Sequence, residues 1–260
     1  MTPERLAKAG LQFDVDGAVA TVTLDKPAKR NSQTPTMWRT LAALADEIPD
    51  DVRVVIVRGN GSAFSAGLDR AMLDPAGGDG EETVAQLLAL DEAGMSATID
   101  DYQRGFTWLR DPRFVSIAAV QGYAIGAGFQ LALSCDLRVV ADDVQFCMKE
   151  AALGLVPDLT GTKPLVECVG YSKALEICAT ARMVGAAEAV DIGLASAAVP
   201  LADLGAAVDD LVGALTAAPH GAVTETKTLL IGVAERDLDE QRRLEREAQT
   251  RRLRELLGAN

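Results

Sequence analysis

AAVQGYAIGAGFQLALSCDLRVVA, residues 118–141, packs several changes of element into one short stretch. It opens inside the apolar run FVSIAAVQG (114–122), which is rich in β-branched and small residues and reads as a buried strand. YAIGAG (123–128) follows as a glycine-bearing loop, FQLALSC (129–135) as the start of a helix, and DLRVVA (136–141) as another strand. The same order occurs upstream. VRVVIVRG (52–59) is a β-branched strand ended by Gly59, and it leads into the loop NGSAFSAGLD (60–69). Strand, loop and helix in succession point to an α/β fold.

Working outward, LQFDV (11–15) and AVATVTL (18–24) alternate across Asp16-Gly17, a hairpin signal. Thr34-Pro35 marks an N-cap and first helical position, and the helix is expected to run to about Glu47. Between Met72 and Glu82 the chain is acidic and glycine-rich, and a mobile excursion is expected there. A helix over Val84–Arg110, broken near Gly94, comes next. VQFC (144–147) is a short strand, and Lys149–Pro157 reads as a short helix and a turn. Further helices are expected at about 160–169, 171–180 and 186–192. Beyond Leu201 the strand signals stop and three helical stretches remain, about 201–217, 220–233 and 237–257. The last opens on DLDE, a capping pattern. This divides the chain into a core, 1–200, and a C-terminal helical region, 201–260.

The composition removes several functions. The 260 residues include one histidine, His220, in the Pro-Gly context of a helix start. A multi-histidine metal site is therefore impossible, and a serine or cysteine peptidase is disfavoured. Four cysteines, Cys135, Cys147, Cys168 and Cys178, match no zinc or redox spacing and are expected to be buried reduced thiols. A formal net charge of −13 disfavours nucleic acid and anionic membrane surfaces as partners. Apolar runs are too short for a membrane span, and MTPERLAKAG has no signal-peptide core, so a cytoplasmic location is expected.

Chemistry is expected at the two glycine loops. Each follows a buried strand, and small residues let a ligand approach the main chain. Near Ala127 the amides lie at a helix N-terminus, where unpaired N–H groups and the helix dipole favour negative charge. Gly122, Gly126 and Gly128 stand in the reverse of the dinucleotide-binding order, which argues against a Rossmann site.

AFSAGLD, AAVQGYAIGAGFQLALSCDLRVVA, MKEAALGLVPDLTG and AAEAVDIGLASAAVP, together with LDKPAKRN near the N-terminus, resemble the enoyl-CoA hydratase/isomerase (crotonase) family in order and spacing. The resemblance spans roughly residues 11–235. It implies a spiral of ββα units with a C-terminal helical region that serves oligomerisation and covers the active site, assembled as a homotrimer or hexamer. It also implies an acyl-CoA thioester as ligand, with coenzyme A arriving as part of the substrate, no tightly bound cofactor and no metal. By position, the backbone N–H groups of Leu68 and Ala127 would form an oxyanion hole. Most relatives carry glycine where Ala127 stands; alanine keeps the N–H but adds a methyl group. Lys29, Arg30, Ala66, Gly67, Gly126 and Lys227 would contact CoA or substrate.

The family's hydratases use two glutamates. The second is matched here by Glu150, while Gln130 replaces the first. Glutamine can hold a water but cannot exchange a proton at neutral pH. Loss of one acid–base group typically costs about 10²–10⁴-fold in rate, so efficient hydration is not expected. One carboxylate suffices to move a double bond, and Glu150 is the expected base of a lyase or isomerase acting in fatty-acid metabolism. Asp158, in VPDLTG, is either a second acid–base group facing Glu150 or the helix cap before Thr160. A non-catalytic acyl-CoA-binding protein is the alternative in a different class.

Overall fold

The strands are β1 (Leu11–Asp16), β2 (Val19–Leu24), β3 (Val54–Gly59), β4 (Val115–Val120), β5 (Tyr123–Ile125), β6 (Leu137–Ala141), β7 (Gln145–Cys147), β8 (Val184–Gly185) and β9 (Ala197–Val199). The helices are α1 (Pro3–Ala9), α2 (Pro35–Leu44), α3 (Val84–Leu88), α4 (Glu92–Thr107), α5 (Ala127–Ser134), α6 (Thr162–Val169), α7 (Tyr171–Thr180), α8 (Ala186–Asp191), α9 (Leu204–Ala217), α10 (His220–Leu230) and α11 (Leu238–Leu256). The computed structural model describes residues 1–74 and 80–258.

Six strands form one sheet in the order β1-β2-β3-β4-β6-β9, and β5-β7-β8 form a second. The β1–β2 hairpin is antiparallel, from Leu11↔Leu24 to Asp16↔Val19, and the later neighbours in the large sheet run parallel. The chain leaves β4, turns through Gln121-Gly122 and enters β5, which pairs with β7 in the second sheet. β4-β5 before α5 and β6-β7 before α6 each contribute one strand to each sheet before a helix, which produces a spiral.

Successive side chains of the central strands face opposite sides, and both sides are dry. Val55, Val57, Ala118, Val120 and Val140 join the main core with Trp38, Phe106 and Phe129. Val54, Ile56, Ile117, Ala119 and Val139 form a second core, closed by Leu204 and Val208 of α9. That is why these strands read as continuous apolar runs. Arg53 ties α9 down, donating to the carbonyls of Leu215, Thr216 and Ala218 at the end of the helix.

Several expectations need correction. α1 was not foreseen, although Thr2 caps it, Pro3 opens it and Gly10 ends it in the left-handed region at φ 67°. The long helix expected over 84–110 divides at Asp91, not Gly94: Asp91 accepts the Gly94 N–H at 2.8 Å and starts α4. Residues 75–79 of the expected mobile excursion lie outside the described residues. Its far flank is anchored, since Glu82 accepts from Arg39 and from the Tyr102 hydroxyl, and Glu81 accepts the Thr36 N–H. All four cysteines are free thiols, but only Cys135 and Cys147 are buried; Cys168 and Cys178 are half-buried. His220 does open α10, and Asp237 does cap α11 by accepting the Glu240 N–H.

Candidate active site

The two glycine loops meet. In the first, Ser65 bridges to Ala124: its N–H donates to the Tyr123 carbonyl at 2.9 Å, and its carbonyl accepts the Ile125 N–H at 3.0 Å. Gly67 then adopts φ 84°, and a methyl group placed there would lie 2.4 Å from the Ile125 carbonyl oxygen and 3.6 Å from the Ala127 nitrogen. Only glycine permits this approach.

Two N–H groups are left over at the junction. Gln33 bridges to Leu68 by donating to the Gly67 carbonyl and accepting the Asp69 N–H, at 2.7 and 2.8 Å. That pattern spends the groups on either side of Leu68 and turns Leu68's own N–H away from Gln33. Ala127 is the first residue of α5, so its N–H has no acceptor within the helix. Neither amide finds an acceptor among the described residues. Gly126, at φ 51°, provides no side-chain cap that would compete for them.

Glu150 comes to the same place from the end of β7, opening the short 3-10 turn Glu150–Leu153. A methyl group at Gly126 would come within 3.2 Å of Glu150 Oε1. The residue is 9% exposed, Oε1 accepts from Gln130 Nε2 at 2.7 Å, and the buried Oε2 has no hydrogen-bond partner. Burial pushes the Glu150 carboxyl above the usual carboxylate range, and the charge of Asp158 adds to the rise. Hydrogen bonds from its own backbone N–H and from Gln130 offset only part of it.

Gln130, on α5, is fully buried and acts as a clamp. Its Oε1 accepts from the Leu159 and Gly161 N–H groups at 2.9 and 3.1 Å, while its amide nitrogen holds Glu150. Of the groups with which Gln130 was expected to hold a water, the amide oxygen and one N–H are committed within the protein. The helix-cap reading of Asp158 also fails, because Gly161 occupies the N-cap of α6 and no side chain caps it. Asp158 is exposed as a residue, yet the protein around its carboxyl pushes it up as well. The turn carrying it is held by Gln130 and by Gln103, whose Nε2 donates to the Asp158 carbonyl at 2.7 Å.

The enoyl-CoA hydratase/isomerase family model matches residues 14–255. The chain belongs to the enoyl-CoA hydratase/isomerase family. Among curated relatives, the "Probable enoyl-CoA hydratase echA8" of Mycobacterium bovis is 33% identical over 73% of this chain and 68% of its own length. The mitochondrial Delta(3,5)-Delta(2,4)-dienoyl-CoA isomerase of Mus musculus is 32% identical over 67% of this chain and 54% of its own. A Thermobifida fusca protein described as an enoyl-CoA hydratase, solved with CoA, superposes with a TM-score of 0.94 at 50% identity, covering 100% of this chain and 98% of that one. A Thermobifida fusca protein of the same description, solved with acetoacetyl-CoA, is 52% identical, with 98% of each chain covered and a TM-score of 0.94. The fold is therefore the crotonase-like spiral with C-terminal helices.

Within this family frame, the basic residues divide into two groups. Arg30 shares a patch with Ala66: the Ala66 N–H donates to the Arg30 carbonyl at 2.8 Å, and the Arg30 guanidinium lies 5.7 Å from the Tyr123 ring centroid. Lys29, with half its side chain exposed, reaches Asp69 at 3.6 Å on the same side. Lys227 is elsewhere and its expected ligand contact is corrected. It is buried, and its Nζ donates to the carbonyls of Asp111 and Phe114 and to Asp136 Oδ2, at 2.6, 2.7 and 2.7 Å. Three donors meet three acceptors, which leaves none for a phosphate. Sequence reasoning also missed Gln33 and Ser65, whose buried side chains join at 3.1 Å beneath the amide pair. Among the described residues, no group of three or more His, Cys, Asp or Glu side chains could hold a metal ion, and no helix is long and apolar enough to cross a membrane.

Proposed function

We propose that the chain binds an acyl-CoA thioester, stabilises its enolate on the Leu68 and Ala127 N–H groups, and uses Glu150 as the base. The observation that carries this reading is the buried Oε2 of Glu150, unpartnered beside Gly126, where the two free amides meet. Ionised Oε2 takes a proton from the carbon next to the thioester carbonyl, and the electron pair moves onto the carbonyl oxygen between the amides. The protonated Glu150 then returns the proton, to the same carbon or to one further along the chain. The second outcome moves a double bond. Loss of one oxyanion-hole donor typically costs about 3 kcal/mol, so two preorganised donors supply a substantial part of the barrier reduction.

Hydration asks for a second proton carrier, and Gln130 cannot be one. We assign that assisting role to Asp158, whose charge acts on Glu150 and whose turn Gln130 holds. Lys29, Arg30 and Tyr123 would take the phosphates and adenine of CoA near Ala66 and Gly67, with CoA bound only as part of the substrate. The helical region 201–260 would complete the assembly, a trimer or hexamer, and cover the site. Names and ligands of the relatives, CoA and acetoacetyl-CoA among them, support this reading.

The test is incubation with saturated and unsaturated acyl-CoAs in deuterated water, followed by mass spectrometry and NMR. Native protein is expected to exchange α-protons or move a double bond, and Glu150→Gln to bind acyl-CoA while losing at least about 10²-fold in exchange. Unchanged exchange in that variant would remove Glu150 as the base. The fixed, proton-inert Gln130 favours a second reading, a non-catalytic acyl-CoA binder. Tight binding without exchange by the native chain across the panel would establish it.

A further inference from the structure

We infer that Gln33 and Ser65 are positioning residues which set the separation and direction of the two oxyanion-hole amides. The inference rests on the function proposed above, and neither side chain touches substrate. Ser65 is fully buried where both loops converge. Its Oγ accepts the Gly67 N–H at 3.2 Å and Gln33 Nε2 at 3.1 Å, and it donates to the Asn31 carbonyl at 2.7 Å. The hydroxyl thus holds the Ala66–Gly67 peptide, one before the peptide that carries the Leu68 N–H. On its other side, Ser65 fixes the second loop: its backbone pairs around Ala124, and a methyl group at Gly128 would lie 2.5 Å from its carbonyl oxygen and 2.8 Å from its Cβ. Ala127 sits between those two contacts.

Gln33 closes the frame. Its backbone grips both neighbours of Leu68, and its side chain donates to Ser65 while accepting the Trp38 indole N–H at 2.8 Å. Trp38 belongs to the rigid core on α2. Each polar atom of the Gln33 amide and the Ser65 hydroxyl therefore has a partner in a chain running from the core to the amide pair. A hydrogen-bond frame in a dry interior resists small displacements, and a displacement of about 1 Å at a reacting centre costs on the order of 10²-fold in rate.

The experiment compares native protein with Ser65→Ala, Ser65→Cys and Gln33→Met. It reads α-proton exchange, the acyl-CoA dissociation constant, and the ¹³C resonance of carbonyl-labelled butyryl-CoA when bound. The expected result is an exchange rate lower by about 10²-fold in S65A and Q33M, with dissociation constants within threefold of native. The bound carbonyl resonance should move back towards its position in free butyryl-CoA, because fewer well-aimed N–H groups polarise it. S65C, which keeps a small acceptor, should recover part of both signals. Exchange and carbonyl resonance unchanged in S65A and Q33M overturn the inference, and so does a loss of exchange fully matched by loss of affinity. The carbonyl resonance is readable whether or not the native chain turns over. A native chain that binds no acyl-CoA, or a Glu150→Gln variant with native exchange, would instead overturn the parent reading.

Discussion

At the scale of single residues, the site turns on the environment of one carboxylate. Glu150 has one oxygen held by Gln130 and one oxygen buried without a partner. Burial raises its pKa above the ordinary 4.5, so exchange should rise with pH over a range higher than an exposed glutamate would give. Stability carries the opposite sign. The folded chain holds this proton more tightly than the unfolded chain, so the contribution is fully present below the unfolded pKa and is lost as pH rises through the folded one. Glu150→Gln removes that loss while keeping an oxygen for Gln130. It should melt above native protein at pH 8, by about 2–4 °C per kcal/mol recovered, and level with it at pH 4. Calorimetry at the two values checks this. Gln130→Glu is the converse change, placing a second carboxyl within hydrogen-bond distance of Glu150. The pair should share a proton, pushing the pH–exchange limb still higher; a limb that stays in place would refute the clamp as drawn. Leu68, Ala127, Glu150 and Gln130 could be singled out because they lie in contiguous glycine loops or at matched family positions. Gln33 and Ser65 were not, because their meaning is a hydrogen bond between residues 32 apart in the chain. Lys227 was misread for the same reason: its partners lie on the other side of the sequence, at Asp111, Phe114 and Asp136.

At the scale of elements, boundaries followed capping chemistry more closely than apolar periodicity. The break between α3 and α4 illustrates this. Glycine at position 94 suggested a weak point, but Gly94 is inside α4 and donates to the Asp91 carboxylate that starts the helix. Asp91→Ala should destabilise the chain by about 1 kcal/mol, read as a lower urea midpoint with an unchanged slope. A Gly94→Ala change would bring its methyl within 3.0 Å of Asp91 Oδ1 and test the same cap from the other side. The strands β3 and β4 were legible because both faces are buried and the residues are mostly branched and apolar, and β1 and β2 because they alternate across the Asp16-Gly17 turn. β5, β8 and β9 are three residues or fewer, as is β7, which alone of the four was read as a strand, from VQFC. Such short pieces show no alternation and exist only because a neighbouring strand pairs with them.

For the whole molecule, the question is how the C-terminal helices are joined to the spiral. The sequence announced their presence, through the loss of strand signals and the cap at Asp237, but not their attachment. α9 is fastened by apolar packing on the back of the sheet, where Leu204 and Val208 close the second core. α10 is fastened differently, by the buried Lys227 cation and by His220, whose Nε2 lies 2.9 Å from the Arg113 carbonyl oxygen. Lys227 bonds two carbonyls and Asp136, and Asp136 Oδ2 also accepts the N–H and hydroxyl of Ser116 at the start of β4. Burial lowers the Lys227 pKa, and the Asp136 carboxylate counters that by favouring the charged form. Lys227→Met retains the apolar stem but leaves two buried carbonyls and a carboxylate without their cation. Removing one partner of a buried pair typically costs about 3–5 kcal/mol, so the variant should lose that much stability in urea unfolding. Hydrogen exchange should locate the loss first in α10 and α11, with the sheet amides of β3 and β4 protected until global unfolding. Acyl-CoA affinity of the protein that remains folded should match native, because Lys227 has no donor left for a phosphate. A selective loss of affinity at native stability would return Lys227 to the binding site; the pattern expected here makes it a latch by which α10 and α11 are held on the strand framework that carries both amides.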